Sequence, residues 1–398
     1  MDYIYDIINL EFVFFIVFLG VAYCWRLEPL KVLLLFGHIL VIFLLNDVLF
    51  PVTYMPDQLL YLNTTQDVRN FTTGLEKFDT TFGFSSLLFS IVPLPFINSV
   101  QSLAMINFLI FLTIFVFIKK VKLSTERVDY FLLLFPSLLL YSSLALRDMF
   151  VLLFLFLGLY ALIIRERYFF GLLLASPVII LKFQNYLMIV GALILFFYLR
   201  KAKPRRYLIL GIFVFISAFI PEKVPLVSQL YEKIEWWRFA LFADQFYYNW
   251  TVVEQMKQYY EPLGTGFILL YQVIKFFFYM LLKPLPWEAG NLFQLVQSVE
   301  NLIIFVMIIW CNRIKIINDK IRQKIFFLNS LLFVSMTING LVVFNFGSAV
   351  RYKFPFIVIY FVYFFYLLKS DELFVKQVKT IWSVNNKPQS GVLPISSS

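Results

Sequence analysis

The chain has 398 residues, of which 61% are hydrophobic, 20% aromatic and only 15% charged. Soluble proteins carry about 25% charged residues, so this composition excludes a soluble globular protein and indicates a polytopic membrane protein. Two cysteines and a single histidine, His38, are too few for a disulfide framework or for a thiolate or histidine metal site.

The basic residues lie in short segments between apolar stretches, although a formal net charge of +10 is also compatible with nucleic-acid binding. An excess of Lys and Arg in short loops is typical of the cytoplasmic side of a membrane protein. We therefore interpret this charge as a signal of membrane orientation and expect no nucleic-acid partner. The basic segments are Arg26–Lys31, Lys119–Arg127, Arg165–Arg167, Arg200–Arg206 and Arg313–Lys324.

Apolar windows of suitable length predict an all-α protein with about 11 transmembrane helices. If the N terminus lies outside, every basic segment falls on the inner side, as the charge rule requires. In chain order the predicted spans are 7–24, 31–50, 98–118, 128–146, 149–164, 168–181, 184–199, 207–220, 292–311, 325–345 and 354–368.

Two further apolar stretches, 82–96 and 264–282, do not fit this parity. We predict that both are re-entrant or interfacial helices on the outer side, where protein or a wet cavity would satisfy their backbone. The sequence leaves open whether either of them spans the membrane. The N-terminal segment has neither a basic start nor a cleavage site, so we predict a retained first span.

Two longer polar segments, 51–81 and 221–262, hold many of the acidic residues and are predicted to be outer loops. The aromatic stretch Trp236–Trp250 in the second loop is predicted to be an interfacial helix. Residues 1–384 are predicted to form one transmembrane domain, and residues 385–398 a disordered tail.

Polar side chains interrupt the apolar pattern at five places that this topology puts on the outer side. Ionisable groups at membrane depth cost about 2.5–3.5 kcal/mol each and persist where they face a cavity or a site. We therefore predict a single outward-facing site. Its candidate residues are Asp57 and Tyr61; Arg147 and Asp148; Lys182, Gln184 and Asn185; Lys283, Glu288 and Glu300; and Asn345, Arg351, Tyr352 and Lys353.

Simpler interpretations exist for several of these residues. Arg147 and Arg351 could be anchors that reach outer phosphate headgroups, with Asp148 as the N-cap of the next helix. Asp57 could be a solvated loop residue. A carboxylate within an apolar helix, such as Glu300, usually has a partner and is harder to explain in this way.

Two arginines at one outer cavity suggest a specific chemistry. A guanidinium binds phosphate oxygens through a rigid fork and stabilises the charge that develops on a departing diphosphate. A neighbouring carboxylate can accept the proton of an attacking hydroxyl. The sequence shows no glycine-rich phosphate loop and no metal-binding carboxylate motif, so a lipid-linked diphospho-sugar is the expected donor, without a metal or cofactor.

The ordered motifs resemble those of the Wzy-type polysaccharide polymerases, including the EpsG-like branch. They are Asp-x-x-x-Tyr at Asp57, Leu-Arg-Asp at Arg147, Pro-Leu-Pro-Trp-Glu at Glu288 and Arg-Tyr-x-x-Pro at Arg351. The resemblance implies a GT-C-like, metal-independent, inverting glycosyltransferase at the outer face of a bacterial inner membrane. Its partners would be oligosaccharide units carried on undecaprenyl diphosphate and membrane lipid, and a regulator of chain length stays open.

Carried over residue by residue, the resemblance implies that Arg147 and Arg351 bind the diphosphate. Asp57, Asp148 and Glu288 become candidates for acceptor binding or proton transfer. The candidates for substrate binding are Tyr61, Lys182, Gln184, Asn185, Lys283, Glu300 and Tyr352.

Other functions stay open at this point. The related O-antigen ligases rely on an outer histidine, whereas His38 lies in the predicted second span, so a ligase is disfavoured. A flippase for the same lipid-linked unit would need polar groups in both leaflets, and an acyltransferase would normally need an exposed histidine. Three Asn-x-Thr triplets in the predicted outer loops, at Asn63, Asn70 and Asn249, keep a glycosyltransferase of the endoplasmic reticulum as a further alternative.

Overall fold

Helices are the regular elements of the computed structural model, which describes residues 2–21, 27–46, 48–49, 55–72, 80–200, 204–219, 225–244, 250–343 and 346–385. A π-helical turn, Tyr160–Ile164, extends α8. The α-helices are α1 (Asp2–Leu19), α2 (Pro29–Leu45), α3 (Pro56–Arg69), α4 (Thr81–Ile91), α5 (Val100–Lys120), α6 (Glu126–Leu134), α7 (Pro136–Ser142), α8 (Asp148–Leu159), α9 (Tyr168–Ala175), α10 (Val178–Leu199), α11 (Pro204–Phe219), α12 (Pro225–Asp244), α13 (Trp250–Met256), α14 (Phe267–Leu282), α15 (Leu292–Arg313), α16 (Asp319–Val342) and α17 (Phe346–Asn385).

Five helices are long and apolar enough to cross a membrane, by length and composition, within the described ranges. They are α5, α10, α15, α16 and the segment Gly347–Lys376 of α17. Shorter apolar helices accompany them, including α2, α4, α14 and the segment Asp148–Ile164. These helices indicate a membrane-embedded protein, and the full set of about 11 spans stays a prediction.

The predicted span 128–146 is divided into two helices and a non-helical segment. Pro136 stands at the first position of α7, where its missing N–H is tolerated but ends the preceding helix α6. Helix α7 itself ends at Ser142, and α8 does not begin until Asp148. The chain is therefore irregular immediately before the predicted Arg147–Asp148 pair.

A change of direction at Lys182 separates the predicted spans 168–181 and 184–199. Lys182 has non-helical backbone angles (φ −162°, ψ 75°) inside α10. The rings of Tyr168 and Phe197 are nevertheless only 5.0 Å apart. A helix rises about 1.5 Å per residue, so this contact requires the chain to reverse near Lys182. The turn predicted between these two spans is therefore present, although α10 continues on both sides of Lys182.

The first two basic segments meet at one carboxylate. Lys119 Nζ lies 2.5 Å from Asp129 Oδ2, and Lys31 Nζ lies 3.4 Å from the same oxygen. Ser124 Oγ donates a hydrogen bond to the other oxygen of Asp129. These contacts bring both segments to the same end of the helix bundle.

The other three basic segments lie at this same end. Lys324 Nζ pairs with Glu166 Oε1 at 2.9 Å, and Arg200 lines the same cavity. The ring of Phe117, close to the end of α5, contacts Tyr160 at 5.1 Å and so joins the two groups. The described residues of these basic segments thus lie at one end of the helix bundle.

The irregular segment 143–146 obtains its hydrogen bonds from three buried polar side chains. Asn107 of α5 donates bonds of 2.5 and 2.6 Å to two of its carbonyls, and Asn46 donates one of 2.9 Å to a third. Gln58 of α3 accepts a bond of 2.7 Å from the N–H of Ala145. Irregular backbone among apolar helices is stable only when protein groups satisfy it in this way.

Replacing Asn107 with Leu is expected to lower the stability of the chain, because two buried carbonyls lose their donor. Each unsatisfied group costs about 1–3 kcal/mol. The measurement is the thermal unfolding midpoint of the purified chain in detergent. Thr113→Leu on the exposed face of the same helix is the matched control and should leave the midpoint unchanged; equal midpoints for the two variants would contradict this role of Asn107.

Helices α4 and α14 lie in the two stretches that were predicted to be re-entrant or interfacial. Helix α4 has 11 residues and α14 has 16, fewer than the approximately 20 residues of a span. Helix α14 begins beside the end of α11, where the N–H of Gly266 donates to Ala218 O. It ends at the level of Asn301, which lies about 13 Å along α15. This course is compatible with a re-entrant helix.

Helix α12 occupies much of the second predicted outer loop and is anchored through Arg238. This buried guanidinium donates hydrogen bonds to Leu341 O and Glu261 O and lies 4.7 Å from the ring centroid of Phe276. Part of the predicted interfacial stretch belongs to α12, whereas residues 245–249 and the predicted tail beyond residue 385 lie outside the described residues.

Candidate functional site

Asp148 is the centre of an ionic cluster that joins four separate helices. Its Oδ2 lies 2.5 Å from Nε of Arg351, and its Oδ1 lies 3.4 Å from Nζ of Lys182. Nη1 of Arg351 also lies 3.2 Å from Oδ2 of Asp57. The side chain of Asp148 is 1% exposed and that of Asp57 is 43% exposed. We call these four residues, together with Arg147, the Asp148 cluster.

Each member of the Asp148 cluster stands at the start of a helix or at a break in one. Asp148 is the first residue of α8, where the helix dipole favours a negative charge. Asp57 is in the first turn of α3, and Arg351 lies in the second turn of α17. Lys182 is the non-helical residue of α10. These breaks fall together at the end of the bundle opposite the basic segments.

Arg147 differs from Arg351 because no carboxylate pairs with it in the described part of the chain. Its guanidinium lies 5.9 Å from the ring centroid of Phe82, and its Nε is buried without a hydrogen-bond acceptor. In the Asp148 cluster three cationic side chains therefore face two carboxylates. The excess of one positive charge makes this a place that favours an anion.

The hydroxyl group of Tyr61 is influenced by the charges of both arginines. Its side chain is buried, and its hydroxyl has no partner among the described residues. Burial raises the pKa of Tyr61, while the charges of Arg147 and Arg351 both oppose this shift. The two guanidiniums thus share the neighbourhood of a single unsatisfied hydroxyl.

The residues around the reversal at Lys182 join the same region. Nζ of Lys182 lies 3.7 Å from the ring centroid of Tyr352, and Gln184 lies close to the Tyr352 side chain. Asn185 is fully buried, and neither polar atom of its side chain has a partner in the described ranges. Buried polar atoms are nearly always satisfied, so the unsatisfied amide also favours a polar ligand here.

The remaining predicted residues form a second, neighbouring group. Oε1 of Glu300 accepts a hydrogen bond of 2.6 Å from Ser137. Lys353 donates hydrogen bonds to Asn301 Oδ1 (2.6 Å) and Met280 O (3.1 Å). The described contacts include no hydrogen bond or ion pair between this group and the Asp148 cluster.

An ion pair between Lys283 and Glu288 joins the two ends of the turn that follows α14. Their side chains pair at 2.7 Å, and the second oxygen of Glu288 accepts a hydrogen bond of 2.9 Å from the N–H of Leu285. Burial opposes ionisation, but the hydrogen bonds from Lys283 and from the N–H of Leu285, together with the charge of Lys283, outweigh it and lower the pKa of Glu288. Both oxygens of this carboxylate are therefore engaged, which makes Glu288 a weak candidate for proton transfer.

A cavity of about 340 Å³ lies beside Glu300 and Ser137. On one side it is lined by Met55 and Val350, which are close in sequence to Asp57 and Arg351. On the other side it is lined by Glu300 and the polar side chains Gln294 and Gln297. The second group therefore borders this cavity directly, whereas the residues of the Asp148 cluster are not among its described lining residues.

A second, apolar groove of about 720 Å³ runs between α6–α7 and α15. It extends from Arg127 and Tyr130, near the basic end, to Val296 and Glu300, which also line the first cavity. The two spaces thus meet at Glu300. The groove has the length and lining expected for a hydrocarbon chain.

Several residues that build the site were not among the predicted ones, chiefly Asn46, Gln58, Asn107, Ser137 and Asn301. All five are buried polar side chains; four lie on helices and Asn46 directly follows the end of α2. The signal that could have found them is an amide or hydroxyl inside an apolar stretch, which needs a buried partner.

The described residues build a partly buried, net positive cluster with one arginine free of an acidic partner, beside a polar cavity and an apolar groove. No described group of three or more His, Cys, Asp or Glu side chains is placed to hold a metal ion. No family model matches the chain, and no match to it is found among curated proteins or solved structures.

Proposed function

We propose that this chain is an integral-membrane glycosyltransferase that transfers a growing glycan from a polyprenyl diphosphate carrier to another lipid-linked repeat unit. The observation that carries the proposal is the cationic excess of the Asp148 cluster, in which Arg147 has no acidic partner among the described residues. The order of motifs, which resembles that of the Wzy-type polymerases, supports the same class.

The arginines have different roles in this proposal. Arg147 is available to bind a phosphate oxygen, because its Nε lacks an acceptor. Arg351 is held by Asp148 and Asp57, so it is oriented before substrate arrives. Charge that develops on the departing diphosphate would be stabilised by both guanidiniums, with little reorganisation.

The reaction forms one bond and breaks one. A hydroxyl of the acceptor unit attacks the anomeric carbon of the donor, the carbon–oxygen bond to the diphosphate breaks, and the configuration inverts. The bonding electrons leave with the polyprenyl diphosphate. The proton of the hydroxyl passes to a carboxylate, and Asp57 is the best of the predicted acids for this step, because it is more exposed than Asp148 and less fully engaged than Glu288.

The two cavities suit a lipid-linked sugar. The polar side chains of Gln294, Gln297 and Glu300 in the smaller cavity can hydrogen-bond to sugar hydroxyls. The apolar groove along α15 can hold an isoprenoid chain beside them. The position of the Asp148 cluster at the end opposite the basic segments supports a reaction on the outer side of the membrane. The resemblance to the Wzy-type polymerases implies that this membrane is a bacterial inner membrane.

The test is polymer formation in proteoliposomes that contain the purified chain and a lipid-linked repeat unit. We expect wild type to produce a ladder of polymer lengths and the double variant Arg147→Ala, Arg351→Ala to leave only single units, when equal amounts of folded protein are reconstituted. Normal polymer from the double variant would refute the proposal. Arg322→Ala, an exposed arginine at the basic end, is the control and should retain the ladder.

The same proteoliposomes distinguish the proposal from a flippase. A flippase would move the lipid-linked unit between leaflets without lengthening its glycan. Transbilayer movement of the unit with no change in glycan length would therefore replace the proposed function with the alternative.

A further inference from the structure

A cavity of about 250 Å³ lies at the basic end of the bundle, away from the Asp148 cluster. It is enclosed by the π-helical turn after α8, the start of α9, the end of α10 and the first turns of α16. The π-helical turn widens the end of α8 at this place, and such turns are frequent at functional sites.

Three cationic side chains reach this cavity and one carboxylate opposes them. Arg200, Lys320 and Lys324 line it together with Glu166. The hydrogen bond from Lys324 and its charge lower the pKa of Glu166, and the charges of Lys320 and Arg200 act in the same direction. The cations thus converge on one place, where two positive charges are left without a counter-charge among the lining residues.

Apolar side chains form the deeper wall of the cavity. They belong to Leu162, Ile163, Leu193, Phe196 and Phe327. The guanidinium of Arg200 lies 5.6 Å from the ring centroid of Phe196. Cationic groups therefore stand directly beside an apolar surface, an arrangement complementary to a negatively charged headgroup with attached hydrocarbon.

From these contacts we propose that the cavity binds the phosphate headgroup of an anionic phospholipid of the inner leaflet, with Arg200, Lys320 and Lys324 as its ligands. Basic pockets between helices on the cytoplasmic side suit such headgroups. The apolar wall favours a lipid over a free phosphate ion. This site is independent of the proposed glycosyltransferase reaction, because it shares no residue with the Asp148 cluster.

The test titrates the purified full-length chain in neutral detergent with three probes and follows its thermal unfolding midpoint. The probes are short-chain phosphatidylglycerol, phosphatidylcholine with the same chains, and inorganic phosphate. We expect phosphatidylglycerol alone to raise the midpoint. In the variant Arg200→Gln, Lys320→Gln its apparent affinity should fall about 30-fold, since each basic residue contributes a factor of about five.

A matched control removes the same charge from the same end of the chain. Arg313 and Lys315 are exposed and do not line the cavity, so Arg313→Gln, Lys315→Gln should keep wild-type affinity. The charge-preserving variant Arg200→Lys, Lys320→Arg should also bind. Equal loss of affinity in the cavity variant and the control would overturn the proposal, and an equal effect of inorganic phosphate would overturn the assignment to a lipid.

Discussion

Arg147→Ala is expected to abolish glycan transfer and leave the stability of the chain close to that of wild type, whereas Arg351→Ala should impair both. Arg147 makes no ion pair with a described residue and rests on the ring of Phe82. Its loss removes a stabilising contact worth about 0.5–1 kcal/mol and also relieves the excess of positive charge. Activity should fall about 100- to 1,000-fold, as when one preorganised donor to a transition state is removed.

Arg351 has a structural role that Arg147 lacks. Without it, the carboxylate of Asp148 stays almost completely buried, with only Lys182 at 3.4 Å to compensate it. Removal of one partner from a buried ion pair costs about 3–5 kcal/mol. Unfolding in mixed micelles and the polymer ladder, measured on the same preparations, separate the two effects.

The lysine variants refine this contrast. Arg147→Lys keeps the charge but loses the planar fork, so it should bind the diphosphate and transfer glycan poorly. Arg351→Lys should recover part of the stability, because one ion pair with Asp148 can still form. If Arg147→Ala unfolds as easily as Arg351→Ala, Arg147 is a structural residue and the assignment of an anion-binding role to it is wrong.

The sequence predicts one common location for four charged residues, because a topology derived from the basic segments puts all of them at one end of the bundle. These residues are Arg147, Asp148, Lys182 and Arg351. The pairing among them does not follow. Asp148 is next to Arg147 in the chain, yet it pairs with Arg351, which is 203 residues away. Adjacent residues at a helix start point in different directions, so only the packing of α8 against α17 and α10 decides which cation reaches the carboxylate.

The breaks in the helices were only partly predictable. The reversal at Lys182 was expected, because polar residues interrupt the apolar pattern there. The division of span 128–146 at Pro136 was not predicted, although proline has a known tendency to end helices. The irregular segment 143–146 depends on Asn107 and on two other polar side chains distant in sequence, and hydropathy averaged over a window conceals single residues of this kind.

Lys283, Glu288 and Glu300 were predicted to belong to one outer site, and the contacts that they make do not follow from the sequence. Glu288 was a candidate for proton transfer, whereas its two oxygens are occupied by Lys283 and a backbone N–H. Local geometry of this kind depends on the backbone path of a proline-rich turn. Sequence spacing alone cannot show that two opposite charges five residues apart form an ion pair with each other.

Asp148→Asn is expected to be the most destabilising single change in the Asp148 cluster, at about 3–5 kcal/mol. The substitution leaves Lys182, which is 3% exposed, and Arg351 without their shared buried anion. Asp57→Asn is the matched control, since it removes the same charge from the same arginine at a side chain that is 43% exposed. It should cost no more than about 1 kcal/mol.

A second substitution shows whether the cost comes from uncompensated charge. Lys182→Met in the Asp148→Asn background removes the buried cation that has lost its carboxylate and should restore about 1–3 kcal/mol, so that the effects of the two changes are not additive. The measurement is the free energy of unfolding in mixed micelles for all four members of the cycle. Additive effects, or equal losses of stability for Asp148→Asn and Asp57→Asn, would show that burial of the ion pair does not govern the stability of this site. In that case the buried carboxylate of Asp148 would not be the group that orients Arg351 toward a substrate.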